Sequence, residues 1–307
     1  MQKKRIFLLS LGLIIFLSII FKTLSIKDIS LLISAENLII IILISIFINI
    51  IIPIKTLRWK YLLKSNNIKN ISFKTSLIEI GSSFFLGSIT PGRLGEFSRV
   101  ISSKDKKKEL TAIFIIEYLT DLIAILGIPL IFSLIILFKI QFVSIIVGII
   151  FAILVLGYIF LKLDLIDKLF IKLFPKHNSI IQKKKEVLEI FQKYIKNYKV
   201  ILVSIITAFT MYMILYSIGW IIMISFGINI SFSTAIAIYS IGQLIGIISF
   251  IPQGLGSREA AIFGFLLALG HDSALITSSL IILRIITIIP LIVCYPIYIK
   301  FINQKFS

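Results

Sequence analysis

The chain has 307 residues, 58% of them hydrophobic, and a formal net charge of +18. Long apolar runs recur along it without the short alternating segments of a membrane barrel, which excludes an ordinary soluble fold and predicts an all-α polytopic membrane protein. Lys and Arg concentrate in loops that we assign to one side. We therefore interpret the charge as a topology signal that also suits anionic lipid headgroups, and we expect no nucleic-acid partner.

The start of the chain predicts two membrane spans and a cytoplasmic N-terminus. Residues 6–24 follow a basic start and lack a small-residue cleavage site, which favours an uncleaved helix. A second span is expected over residues 37–54. The segment after it is rich in Lys and Arg, so we place it in the cytoplasm. Within it, "RWKY" (Arg58 to Tyr61) is interpreted as an anchor at the membrane interface.

The next apolar segment predicts a re-entrant hairpin rather than a span. Residues 75–90 are too short to cross comfortably, because a crossing helix needs about 20 residues. A turn follows at Pro91-Gly92, and the chain then returns to the lysine-rich segment around Lys106. Thr90 as N-cap and Pro91 at the first position favour a helix over residues 91–102.

The middle of the chain predicts two spans and a polar linker. Residues 110–138 cross outward and residues 141–163 cross back, which leaves a lysine-rich linker over residues 163–199 in the cytoplasm. Residues 180–198 have the apolar spacing of an amphipathic helix. Two interpretations stay open for this helix: it lies on the membrane surface, or it simply connects two spans.

The last third predicts a second hairpin between two spans. Residues 200–226 cross outward, residues 233–269 contain a turn at "PQGLGSRE", and residues 274–299 cross back to a cytoplasmic C-terminus. We therefore expect about six full spans and two re-entrant hairpins in one integral membrane domain over residues 1–307, located in the cell membrane.

The two turns are near-copies of each other. Residues 91–95 and 252–256 share the pattern P-x-x-L-G, and each is followed by an Arg and a Glu. By the charge rule the two units face opposite ways, with repeat halves over residues 37–138 and 200–299. This arrangement is typical of inverted-repeat transporters, whose broken helices meet near the membrane midplane.

Charged residues in apolar surroundings are the candidate site. Each costs about 2.5–3.5 kcal/mol at mid-bilayer on insertion scales, so we expect the charges to pair or to line a wet cavity. The candidate substrate-binding residues are Arg93, Glu96, Glu117, Asp121, Arg258, Glu259 and Arg284. The turn residues that bring the backbone close are Pro91, Gly92, Gly95, Pro252, Gly254 and Gly256.

The spacing of these charges predicts some of their partners. Glu117 and Asp121 are four residues apart and share a helix face, where an arginine from a turn would separate them. Arg99 is expected to point elsewhere, either into the protein or to the cytoplasmic interface. Glu79 and the Arg258-Glu259 pair could instead lie near the two surfaces. Glu79 lies within the apolar segment of residues 75–90.

The turns predict an anion site. A helix that begins at a mid-membrane turn directs free N–H groups and a positive dipole end into the cavity, which suits a phosphate. Arg93 and Arg258 would add bidentate donors. A purely structural role, in which the charges only hold the two repeats together, remains the alternative. One cysteine and two distant histidines give no metal-ligand spacing, so we expect no metal and no cofactor.

Four motifs together resemble one known family. "PGRLGEFSRV" (from Pro91), "EYLTD" (from Glu117), "PQGLGSREAA" (from Pro252) and "LRIITIIPL" (from Leu283) are similar to the lysylphosphatidylglycerol synthase/flippase transmembrane family. The resemblance implies a flippase-like membrane domain that moves charged or phosphate-bearing lipids. Tyr118 and Gln253 depart from the family pattern, which usually has Arg and Gly there. Because the soluble synthase domain of aminoacyl-lipid-making members is not recognised here, we expect no enzyme activity.

The leading hypothesis is therefore a flippase for an anionic or zwitterionic lipid, either a phospholipid or a lipid-linked intermediate. In it the arginines hold the headgroup and the carboxylates balance them or carry a proton. No phosphate-binding nucleotide loop is present in the sequence, which favours downhill or ion-coupled transport. Two alternatives stay open: an integral membrane enzyme that acts on lipid headgroups, and a scaffold for a separate synthase or glycosyltransferase.

Overall fold

The protein is helical and has no strands in the part described by the computed structural model, which covers residues 35–103, 105–136 and 178–306. The helices predicted over residues 6–24 and 141–163 lie outside the described residues. The helices of the first part are α1 (Ala35–Phe47), α2 (Ile51–Ser65), α3 (Phe73–Ser88), α4 (Ser98–Ile101) and α5 (Lys107–Ile136). Those of the second part are α6 (Asn178–Ile195), α7 (Tyr198–Ser225), α8 (Phe232–Ile248), α9 (Ser257–Ala268) and α10 (Ser273–Phe306).

Four helical segments of the described chain are long and apolar enough to cross a membrane. They are Leu38–Ser65, Lys107–Pro129, Tyr198–Ser225 and Ser273–Phe301. The first continues through α2 to Ser65, eleven residues beyond the predicted end at residue 54. The prediction ended too early because Lys55 and Arg58 were interpreted as loop residues. Both are buried inside the protein.

Two hydrophobic clusters fill the bundle and reach its opposite ends. One contains Trp59, Leu110 and Val200, and so joins the end of α2 to the beginnings of α5 and α7. We call this the lysine-rich end, because Lys64 and the lysines from Lys106 to Lys108 lie there. The other contains Phe226 and Ile276, and so joins the end of α7 to the beginning of α10. We call this the lysine-poor end.

The first hairpin, which consists of α3, the turn Pro91–Phe97 and α4, enters from the lysine-rich end. Its two legs are joined at the base, because Lys106 donates through Nζ to the Ile68 carbonyl at 3.0 Å and Lys69 donates through Nζ to Ser103 Oγ at 3.2 Å. The turn Pro91–Phe97, which we call the first tip, is the far end of this hairpin.

The second hairpin, which consists of α8, residues 252–256 and α9, enters from the lysine-poor end. The segment before α8 is fixed there by Trp220, whose Nε1 donates to the Ile230 carbonyl at 3.1 Å. Residues 252–256 form the second tip. The two hairpins touch beside their tips, since a Cβ on Gly92 of the first tip would lie 2.9 Å from the ring of Phe250, which lies just before the second tip. The two hairpins thus enter the bundle from opposite ends and approach each other at their tips.

Helix α6 packs against the protein. Phe191 is buried in the cluster at the lysine-rich end, and Val187, Ile190 and Tyr194 pack around it against the start of α5. Lys108 and Glu186 form an ion pair between α5 and α6. The apolar face of α6 therefore packs on α5, which favours the connecting-helix interpretation.

Candidate functional site

The two tips repeat the same backbone conformation. Gly92 and Arg93 have φ of 58° and 60°, and the aligned residues Gln253 and Gly254 have φ of 53° and 62°. Each tip thus has two successive left-handed residues, one of which is glycine, and the glycine occupies opposite places in the two tips. A left-handed residue other than glycine costs about 1–2 kcal/mol. The presence of Arg93 and Gln253 there indicates that packing around the tips imposes this shape.

Glycines also bring the backbones of each hairpin into contact. A Cβ on Gly95 would collide with the Leu86 carbonyl of the opposite leg. In the second hairpin, a Cβ on Gly254 would lie 2.6 Å from Gly246 Cα. Both tips are therefore closed against their own leading helix, as the glycines in the sequence predicted.

The helix predicted over residues 91–102 is shorter than expected. The chain forms a 3-10 turn over Pro91–Phe97, interrupted by the left-handed residues, and the α-helix begins only at Ser98. Thr90 still stabilises the turn, because its Oγ1 accepts from the Gly95 N–H at 2.7 Å. The left-handed pair explains the difference, since such residues cannot continue a right-handed helix.

The first charged cluster lies behind the first tip. Glu96 accepts from Lys55 Nζ through Oε2 at 2.7 Å and from Arg93 Nε through Oε1 at 2.7 Å. Lys55 reaches it from α2 and is 3% exposed. Arg93 Nη1 also lies 3.5 Å from Tyr212 OH. Two cations share one carboxylate, so the cluster has one positive charge in excess.

The second charged cluster lies behind the second tip. Glu259 Oε1 accepts from Arg258 Nη2 at 3.0 Å and from Arg284 Nη1 at 3.3 Å. Its other oxygen, Oε2, accepts from the Gly256 N–H at 2.7 Å. This cluster also has one positive charge in excess. Glu259 is 1% exposed, so the possibility that the Arg258-Glu259 pair lies at the outer surface is wrong.

The N-cap of α9 is satisfied from within the chain. The Gly256 N–H donates to Glu259 in the same turn, so this N–H group is not free for a ligand. Arg284 adds an arginine side chain to this region, and its buried Nε has no partner among the described residues.

The third cluster is neutral. Arg58 donates to Asp121 Oδ1 at 2.6 Å and to Glu117 Oε1 at 2.9 Å, and Arg99 pairs with the other oxygen of Glu117. Glu117 and Asp121 share one helix face with a cation between them, as predicted. The cation comes from α2, however, and not from a turn.

One further prediction about this region is wrong, and the alternative left open for Arg99 is decided. Arg58 is 1% exposed and Trp59 is fully buried, so these two residues of "RWKY" do not anchor the protein at the membrane interface. Trp59 Nε1 donates to Glu79 Oε2 at 2.8 Å, which ties Glu79 to the protein. Arg99 does not reach the interface, because its guanidinium lies 4.2 Å from the Trp59 ring centroid. Cation–π contact and ion pairing together explain its burial.

A cavity of about 160 Å³ lies between the two tips. Its charged lining residues are Lys55, Arg93, Glu96, Asp121, Arg258 and Arg284. Five of the seven predicted site residues thus line one cavity. Glu117 and Glu259 do not line it, but each forms ion pairs with arginines. A larger groove of about 1070 Å³ between α1 and α7 has no charged lining residue, so it fits acyl chains better than a headgroup.

Sequence reasoning missed Lys55 and Arg58 as members of the site. The sequence did contain a signal that the helix includes both residues. A helical apolar pattern continues past residue 54, through Ile51, Ile52, Trp59, Leu62 and Leu63. Lys55 and Arg58, three residues apart, lie on a common face of that helix.

The fold and the site define a class: a helical membrane protein in which two opposed hairpins enclose a charged cavity. Residues 6–294 match the family described as lysylphosphatidylglycerol synthase TM region, so the chain belongs to this family. Membership makes it a membrane protein that acts on lipids. A search of curated proteins finds no significant match.

Proposed function

We propose that this protein moves a phosphate-bearing lipid between the two leaflets, with the headgroup held in the cavity between the tips. The observation that carries the proposal is the meeting of two oppositely oriented tips at one cavity lined by Arg93, Arg258 and Arg284. A site reached by hairpins from both ends is suited to alternating access, because separating the tips from either side opens the same space to one leaflet at a time.

The chemistry of the cavity supports binding rather than catalysis. Arginine side chains suit phosphate oxygens because the guanidinium presents paired donors. The four carboxylates that are buried in the described part of the chain, Glu96, Glu117, Asp121 and Glu259, are all ion-paired, so none of these four is free to serve as a general base. Among the described residues, no group of three His, Cys, Asp or Glu side chains is arranged to hold a metal ion. We propose accordingly that the protein is not an enzyme.

The orientation follows from the positive-inside rule. The lysine-rich end would face the cytoplasm, together with both termini, and the first hairpin would open toward the cytoplasmic leaflet. The second hairpin would open toward the other leaflet. A lipid would then enter beside one hairpin, place its headgroup between the tips, and leave beside the other.

The proposal is tested in vesicles that contain only the purified protein and a fluorescent phospholipid. Dithionite bleaches the dye in the outer leaflet, and the bleached fraction beyond one half reports lipid that has crossed. We expect crossing in wild-type vesicles, a rate lower by at least tenfold for Arg93→Gln, and a wild-type rate for Lys193→Gln, which changes an exposed lysine on α6.

The other outcomes have distinct meanings. Protein-free rates in the wild-type vesicles would overturn the proposal and leave a scaffold for a separate lipid-modifying enzyme as the remaining function. Chemical change of the lipid, detected by mass spectrometry after incubation, would favour the enzyme alternative.

A further inference from the structure

The charges around the cavity divide into three sets with different net charge. The set of Arg58, Arg99, Glu117 and Asp121 has two cations and two carboxylates and is neutral within itself. The sets at the first and second tips each have two cations on one carboxylate. Over the described residues, the excess positive charge is therefore not spread evenly. It lies at the two tips, one charge on each side of the same cavity.

An uncompensated cation is costly inside a membrane protein, because burial removes its hydration. Two such excess charges separated only by a cavity also repel each other. Their repulsion is relieved by a ligand with two negative charges that contacts both tips at once. A zwitterionic headgroup or a single negative charge would leave at least one excess charge unmatched.

The size of the cavity is compatible with such a ligand. Its volume of about 160 Å³ has room for several water molecules and for a compact phosphate group. Arg284 lines this cavity, and its buried Nε has no partner among the described residues.

We propose that the cavity binds a phosphate monoester dianion, which bridges the excess charge of the first tip to that of the second. If the phosphate belongs to a lipid, this inference rests on the proposed function. The same chemistry is offered by free inorganic phosphate, so the two sources are separated by experiment.

The test measures binding by the purified protein in detergent at pH 8, through the increase in its melting temperature. The probes are short-chain phosphatidic acid as the monoester, short-chain phosphatidylglycerol as the diester with one charge, and inorganic phosphate alone. We expect phosphatidic acid to bind at least tenfold more tightly than phosphatidylglycerol, a factor of ten corresponding to about 1.4 kcal/mol. Arg93→Gln and Arg258→Gln should each remove most of this preference, and Lys193→Gln should preserve it.

Lowering the pH provides a readout that does not depend on any variant. The second pKa of a phosphate monoester is about 6, so at pH 5 it carries close to one charge, whereas the diester keeps one charge at both values. We expect the preference to shrink to less than about threefold at pH 5. The diester measured at both pH values corrects for effects of pH on the protein itself, whose carboxyl groups that face the cavity are Glu96 and Asp121.

Each outcome decides the inference. Equal binding of the monoester and the diester at pH 8, or a preference unchanged at pH 5, would overturn it. Binding of inorganic phosphate without phosphatidic acid would support the dianion site but count against lipid translocation. Tight binding of phosphatidic acid by a protein that moves no lipid in vesicles would support the site while the proposed function fails.

Discussion

Replacing Arg58 by methionine tests the buried charge network directly. Methionine keeps the length and apolar character of the side chain but removes the only cation that contacts Asp121 among the ion pairs of the described residues. Glu117 keeps Arg99 as its partner. One carboxylate is then buried without a partner, and removing one member of a buried pair costs about 3–5 kcal/mol.

The assay is thermal unfolding of the purified protein in detergent, with Lys64→Met as the matched control because Lys64 is exposed on the same helix. At about 2–4 °C per kcal/mol, Arg58→Met should lower the melting temperature by at least about 6 °C. The control should remain within about 2 °C of wild type, as is usual for surface changes. The double variant Arg58→Met/Asp121→Asn should recover part of the loss, because the unpaired charge is gone.

If Arg58 were an interfacial anchor, the melting temperature of Arg58→Met would be different. An anchor loses little when it becomes methionine, so equal melting temperatures for Arg58→Met and Lys64→Met would refute the buried network. Failure of the double variant to recover any stability would show that the loss comes from packing rather than from the unpaired carboxylate.

Three smaller changes test the local geometry, each by melting temperature. Gly95→Ala should destabilise the protein, because the new methyl group collides with the opposite leg of the first hairpin, whereas Gly264→Ala has open space and should be neutral or stabilising. Gln253→Gly should stabilise by up to about 1 kcal/mol by relieving a left-handed residue, and a loss of stability would contradict this. Tyr239→Phe removes a hydrogen bond to the Gly219 carbonyl and should cost about 0.5–1.5 kcal/mol.

The hairpins could be predicted from the sequence because two independent signals agree. Residues 75–90 are too short to span, and lysine-rich segments flank the hairpin on both sides. The repeated P-x-x-L-G pattern then located the second tip. The shared left-handed backbone could not be predicted for Arg93 and Gln253, because a single sequence does not show that packing forces these residues into a costly conformation.

The partners of the charges were harder to predict than their burial. Lys55 and Arg58 stand near the predicted end of a span, where a charge rule counts them as loop residues. Their ion pairs join residues 41 and 63 positions apart in the chain, and such contacts depend on how the helices pack. The apolar face of α6 posed a similar difficulty, since its spacing suits either a membrane surface or a neighbouring helix.

Cross-linking between the two tips tests the central claim, that opposed hairpins meet at one cavity. Cysteines replace Gly92 and Phe250, whose side chains would touch, in a Cys294→Ala background that removes the native cysteine. A short thiol cross-linker applied to membranes should join this pair efficiently and should not join the control pair of Gly92→Cys and Gly270→Cys, because Gly270 lies beyond α9 at the lysine-poor end. Absence of the first cross-link, or equal yields for the two pairs, would contradict the account.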